Sequence, residues 1–329
     1  MLRYVRIAAV IAVVLAMLND NPAHAQRVKR RDTKRAFLDA KTAGPDFQVQ
    51  GEYVGTIGKG TKTGAQVVAL GDGKFDAVLY AKGLPGAGWD GKVKVTLKGM
   101  TKDGKTTFTG KNFKGTIEDG EFTGTADEGV KFSLKKVLRN SPTLGAKPPA
   151  GAIVLFDGTG VDQWDGMKLE EGNLLGVGGR TKKKFRDFTL HLEFRTPFMP
   201  FARGQGRGNS GMYLADQYEC QVLDSFGLSG ENNECGGIYQ VAKPLVNMCL
   251  PPLSWQTYDV EFTAAKFNDK GMKTADAVLT MKHNGVVIHK NLKLKVTPGG
   301  RQSDEKPGAL FLQNHGDPVR FRNIWILDR

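Results

Sequence analysis

Apolar and polar positions alternate with a period of two along most of this chain, as expected of strands with one buried face and one wet face. Between residue 51 and about residue 138 the alternation comes in short runs: GEYVGTI, KFDAVLYA, KVKVTLKG, TTFTG, FKGTI, EFTGT and VKFSL. Asp72-Gly73, Asp90-Gly91, Asp103-Gly104 and Asp119-Gly120 stand between runs, and such dipeptides accept positive φ in tight hairpins. Residues 51–139 are therefore predicted to form a small antiparallel β domain. Its one unusual loop, GLPGAGWDG, carries Trp89, expected as a plug for a small barrel, with a sugar-stacking platform as the other reading.

The stretch NSPTLGAKPPAG breaks the alternation with its prolines, and residues 140–150 read as a linker. From residue 151 to 329 strands return in FTLHLEFR, SGMYLA, YECQVLD, TYDVEFTA, AVLTMKHNGVVIH, GALFLQNHG and VRFRNIWIL. Asn284-Gly285 joins the arms of one hairpin, and no segment keeps a helical apolar period long enough to cover a sheet. The prediction is all-β, with two packed antiparallel sheets in a sandwich or jelly roll.

Composition changes this picture at three points. Arg3 and Arg6 precede the apolar run from Ile7 to Leu18, and Ala23-His24-Ala25 offers a small-x-small cleavage site. Residues 1–25 are expected to be a signal peptide, residues 26–50 a basic amino-terminal segment, and the mature protein periplasmic or secreted, with no membrane span. The net charge of +13 is scattered through strand-like segments apart from RVKRRDTKR, which reads as a solvated tail. Nucleic acid is not an expected partner; contact with an anionic polysaccharide or the cell wall is the electrostatic alternative. Of the three cysteines, Cys235 and Cys249 are the expected disulfide, and Cys220 is expected to pack as a small hydrophobe.

The candidate chemistry centres on YECQVLD. Alternation puts Glu219 and Gln221 on one face and Cys220 and Val222 on the other, while Asp224 is one residue out of phase. A β-bulge at Val222 or Leu223 would bring Asp224 round to join the first two. The competing expectation is an edge strand whose Glu219 and Gln221 face solvent. Three other segments bring further polar groups: RGQGRGNSGMYL with Arg207, Asn209 and Ser210, GENNECGGIYQ with Glu231, Glu234 and Tyr239, and FLQNHG with Gln313, Asn314 and His315. Acids, amides, an Arg, a Tyr and a His together suit a network of sugar hydroxyls.

At these residues the chain resembles a family. IVLFDGTGVDQW, FTLHLEFR, GNSGMYL, YECQVLDS, GGIYQ, WQTYDVEF, HNGVVIH and HGDPVRFRNIWI, in this order, are similar to the 3-keto-disaccharide hydrolase domain, also called the 3-keto-glucoside lyase and hydratase domain. The resemblance covers residues 151–329 and implies a concanavalin A-like jelly roll; the attached β domain resembles the planctomycete branch. Sandwich glucanases carry E-x-D-x-x-E on the catalytic strand. Here the middle position is the amide Gln221, which departs from a double-displacement pair.

The resemblance implies cleavage of 3-keto-glycosides. A ketone at C3 acidifies the C2 proton, so the glycosidic bond can leave by elimination, and water can then add across C1–C2. Glu219 or His315 is the expected base and Asp224 the acid on the leaving oxygen; Gln221, Arg207 and Asn209 would fix keto and hydroxyl oxygens, with Tyr239 and Gln313 holding the ring. The sequence shows no clean metal-ligand spacing, and a divalent ion stays open as a cofactor. The alternative of another class is a non-catalytic carbohydrate-binding module.

Overall fold

The computed structural model describes residues 32–301 and 303–329, of which Thr33–Arg329 form one compact unit. The expected leader and most of the basic cluster lie outside the described residues. Among the described residues no helix is long and apolar enough to cross a membrane.

The first half is a closed barrel of eight antiparallel strands in sequential order. They are β1 (Gly51–Ile57), β2 (Thr61–Gly71), β3 (Lys74–Ala81) and β4 (Lys94–Lys102). Then follow β5 (Lys105–Gly110), β6 (Phe113–Glu118), β7 (Glu121–Thr125) and β8 (Lys131–Val137), which closes onto β1. Asp72-Gly73, Asp103-Gly104 and Asp119-Gly120 turn the β2–β3, β4–β5 and β6–β7 hairpins with both residues at positive φ. Asp90-Gly91 instead sits in the longer loop between β3 and β4.

An eight-stranded barrel is just wide enough for side chains to fill it. Here aromatic rings do so: Phe122 lies 4.9 Å from Phe108 and 5.3 Å edge-on from Phe132, with Tyr53 and Phe75 beside them. Trp89 is not the plug. It packs on the outer wall 4.9 Å from Tyr80, and its Nε1 donates to Val93 O.

The second half is a sandwich of two antiparallel sheets, the jelly-roll arrangement expected from the alternation. Its early strands are short: β9 (Ile153–Phe156), β10 (Trp164–Asp165), β11 (Leu169–Glu170), β12 (Leu174–Leu175) and β13 (Gly179–Thr181). The central ones are β14 (Phe188–Arg195), β15 (Ser210–Leu214), β16 (Tyr218–Val222) and β17 (Gln256–Thr263). After the small β18 (Lys266–Phe267) and β19 (Lys273–Ala275) hairpin come β20 (Val278–His283), β21 (Val286–Lys293), β22 (Phe311–Leu312) and β23 (Arg320–Asp328). One sheet runs β10-β13-β22-β15-β16; the other runs β11-β12-β23-β14-β17-β20-β21, with β9 also on β23. Between them lies the core, to which β14 gives Leu190, Leu192 and Phe194 and β15–β16 give Met212, Leu214, Cys220 and Val222.

Residues 140–150 do not hang free. Thr143 Oγ1 donates to Asp259 Oδ2 (2.6 Å), the Gly145 amide donates to Glu193 Oε1 (2.6 Å), and Trp325 Nε1 donates to Ala146 O (3.0 Å). Beneath this strap, buried His191 has Nδ1 2.7 Å from Asp259 and its ring stacked on Trp325. The barrel also meets the sandwich directly: a Cβ on Gly227 would lie 2.5 Å from Val68 on β2, so only a glycine lets that loop come so close.

The expected Cys235–Cys249 bridge is absent. All three cysteines are free and buried; Cys235 Sγ lies 3.2 Å from the Tyr258 hydroxyl and Cys249 Sγ donates toward backbone carbonyls, while Cys220 packs in the core.

Candidate functional site

The site is built on the face of the five-stranded sheet turned away from the core. In the β15–β16 hairpin Tyr213 stands directly opposite Glu219 and Gly211 opposite Gln221, and the intervening residues point inward. The neighbouring strand β22 pairs Phe311 with Tyr213, and Gln313 follows on the same face. One polar wall results. The Tyr213 hydroxyl donates to Glu219 Oε2 (2.7 Å), Gln313 Nε2 donates to the Tyr213 oxygen (3.2 Å), and Gln221 Nε2 donates to Gln205 Oε1 (3.0 Å). Asn209 Nδ2 donates to Gln205 O, and its backbone amide donates to buried Asp317.

The solvent-facing edge reading fails. Glu219 is 3% and Gln221 1% exposed, and the free side of β16 is covered by its own following loop. Gln221 N donates to Gly237 O, Gly236 N donates to Gln221 O, and Tyr239 N donates to Glu219 O. Burial pushes the Glu219 carboxyl up to about 7, with the Tyr213 hydrogen bond working the other way. Buried Asn209 Oδ1, Gln221 Oε1 and Gln313 Oε1 have no hydrogen-bond partner. Unmatched acceptors of this kind suit sugar hydroxyls, which donate hydrogen bonds, or a cation, which takes their lone pairs.

Gly211 leaves the room. A Cβ there would lie 2.5 Å from Glu219 Oε1 and 2.9 Å from Gln313 Oε1, so any side chain would intrude on both oxygens.

The family model described as the 3-keto-alpha-glucoside-1,2-lyase-like domain matches residues 151–327, the whole of the sandwich that carries this wall. The chain belongs to that family. Among solved structures, a protein described as a candidate glycosyl hydrolase from Parabacteroides distasonis is 33% identical, covers 55% of this chain and 85% of its own, and superposes with a TM-score of 0.50. A second so described, from the same organism, is 18% identical over 54% of this chain and 94% of its own, with a TM-score of 0.40. No curated protein matches the chain. Family membership places the sandwich among carbohydrate-active domains, and the barrel lies outside the matched residues.

Within the lyase-like sandwich the expected residues fall into separate groups. Glu219, Gln221, Gln313 and Asn209 share the wall, and Tyr239 borders it through its backbone bond to Glu219. Asp224 does leave the strand phase: after Ser210 pairs with Val222, the Asp224 amide donates to Arg207 O, one residue beyond the in-step partner Gly208. Its carboxylate, however, is taken by Arg207 Nε (2.7 Å) and the Phe226 amide, and no hydrogen bond joins it to Glu219 or Gln221. The slip aims Asp224 at Arg207 instead of bringing it back to the wall. Arg207 Nη1 reaches Ala69 O on barrel strand β2, so this pair serves the barrel–sandwich seam. His315 sits exposed in the loop after β22.

Sequence reasoning missed Tyr213, Gln205 and Phe311. Tyr213 was within reach, since a tight β15–β16 hairpin sets it across from Glu219. Arg180 Cζ lies 3.7 Å over the Phe311 ring beside Tyr213, which adds an aromatic and a cation to the same face.

The wall also offers hard oxygens. Among the described residues no three His, Cys, Asp or Glu side chains gather as a metal site. Gln313 Oε1 shares the space over Gly211 with Glu219 Oε1, and the unpartnered Gln221, Gln313 and Asn209 oxygens of the wall have the donor chemistry that suits a hard divalent cation.

Proposed function

We propose that the sandwich cleaves 3-keto-glycosides by elimination across C1–C2 followed by hydration, with Glu219 as the base. The observation that carries this reading is a buried carboxyl, which burial raises to about 7, on the same sheet face as buried amide oxygens without partners, that of Gln313 beside it. A base that titrates near neutrality abstracts a carbon-bound proton well, because it is both available and strong enough. Placement favours Glu219 between the two candidates, since His315 is exposed in the loop after β22 while Glu219 lies in the wall itself.

In this scheme Glu219 takes the C2 proton, the C2–H electron pair becomes the C1=C2 double bond, and the C1–O bond breaks. The leaving oxygen takes a proton from Tyr213, the protonated group nearest the base, or from water. Water then adds its hydroxyl to C1 and a proton to C2, giving net hydrolysis. The Gln221, Gln313 and Asn209 oxygens accept hydrogen bonds from sugar hydroxyls and hold the ring. A divalent cation, held by the Gln221, Gln313 and Asn209 oxygens, would supply Lewis-acid stabilisation of the negative charge that develops on the C3 ketone oxygen.

The test offers purified protein a 3-keto-glucoside and its unoxidised parent in deuterated water. Cleavage of the ketone alone, with deuterium at C2, is expected; equal cleavage of both, or binding of unmodified glycans with no keto-sugar turnover, would overturn the proposal.

A further inference from the structure

A cavity of about 530 Å³ lies between the outer wall of the barrel and the sandwich loops, and none of Glu219, Gln221 and Gln313 lines it. Its barrel side is formed by Val68, Val78, Lys94 and Thr96, its sandwich side by Phe226 and Arg207. The charges around it are unevenly satisfied. Its three acids all have donors: Asp76 has Lys98, Asp224 has Arg207, and Glu234 Oε2 accepts from the Gly230 and Glu231 amides. Two bases do not. Lys94 on β4 has no acidic partner among the described residues, and Arg207, buried to 5% exposure, uses Nε and Nη1 but leaves Nη2 without an acceptor.

We propose that this seam cavity binds a saccharide bearing an oxyanion, a carboxylate or a sulfate, with the barrel supplying half of the site. A buried guanidinium nitrogen without an acceptor is costly, and a planar or tetrahedral oxyanion is the partner that Arg satisfies best. Lys94 adds a second positive charge at the rim, and the apolar stretch from Val68 to Phe226 suits the carbon faces of a sugar ring. That the ligand is a saccharide rests on the proposed function; that it is an anion rests on the unfilled donors alone. Asp224 stands five residues beyond Glu219, at most ~16 Å along an extended chain, a span of two or three sugar units. The barrel would thus give an otherwise neutral sugar site a preference for charged glycans.

Equilibrium binding by calorimetry tests this with the intact chain and three disaccharides: one carrying a glucuronate, one a sulfate, one neutral. Tighter binding of either charged sugar than of the neutral one is expected, and which of the two wins identifies the anion. Lys94→Glu should weaken charged-sugar binding at least tenfold, and Thr96→Trp, which fills the cavity from an exposed barrel position, should abolish it. Circular dichroism melts check that both variants fold. Equal affinity for charged and neutral sugars, or unaltered binding in both variants, would overturn the assignment. Because the readout is binding, a failure to cleave keto-sugars would sink the proposed function and leave this result standing.

Discussion

The Tyr213 hydroxyl donates to Glu219 Oε2 over 2.7 Å between residues directly paired on adjacent strands. The bond favours the charged carboxylate, whereas burial disfavours it, so Glu219 is poised near neutrality by two opposed effects.

Removing the carboxylate should remove turnover while preserving the fold. Glu219→Gln is expected to lower kcat by roughly 10²–10⁴-fold, the usual worth of a positioned base. Steady-state kinetics on a 3-keto-glucoside measure it, and an unchanged rate takes Glu219 out of the chemistry.

The pH profile carries the second expectation. In the wild type the rate should rise with pH through about 7 as Glu219 ionises. Tyr213→Phe deletes a bond that helps the anion, so the rising limb should move to higher pH. A profile that stays in place would show that another group controls it.

Stability should respond with the opposite sign. The folded carboxyl is raised from 4.5 to about 7, so the folded state holds its proton more tightly and loses stability as pH climbs between those values. Glu219→Gln should therefore match the wild type near pH 4 and exceed it above pH 7 by up to about 3 kcal/mol. Urea denaturation at the two pH values decides the point.

Gly211→Ala should separate folding from function. The new Cβ would stand 2.5 Å from Glu219 Oε1, and the flexible carboxylate can retreat at small cost in stability while leaving its working position. A near-normal melting temperature with a loss of turnover of about 10²-fold is expected, the usual result of misplacing a reacting group by an ångström.

The strap over β14 makes a further case. Glu193 is held down at about 2: burial alone would raise it, but His191, Asn323, the Gly145 amide and Arg322 outweigh that. His191 is raised despite burial, by Asp259 and then Glu193. The Glu193 contribution is present above 4.5 and fades as pH falls toward 2, while the His191 contribution is full below 6.5 and fades as pH rises through its folded value. The cluster should stabilise most between those limits. Glu193→Ala leaves buried partners uncompensated and should cost about 3–5 kcal/mol. Thermal melts of both proteins from pH 3 to 9 would reveal a gap that is widest inside that window.

Much of this was legible beforehand, and the failures have physical causes. Strands with one wet face, such as Lys105–Gly110 and Glu121–Thr125, alternate cleanly and stood out in the sequence. Strand β2 did not, because its central residues are covered on both sides, Ala65 and Val67 by the barrel interior and Gln66 and Val68 by the outer packing. The phase of Glu219 and Gln221 followed from a period of two. The fate of Asp224 did not, since a slip in register fixes where a residue leaves the ladder but not which partner it meets, and here Arg207 was waiting. Trp89 misled for a related reason: loop composition says nothing about which side of a closed sheet the loop folds over.

The loop that runs back along β16 has one more effect. Lateral bonds on both margins of Glu219–Gln221 deny that strand to any foreign chain, so a segment rich in unmet acceptors is shielded from the sheet-to-sheet stacking that leads to aggregates. The margin that the sheet leaves bare is thus closed by the strand's own neighbour in sequence.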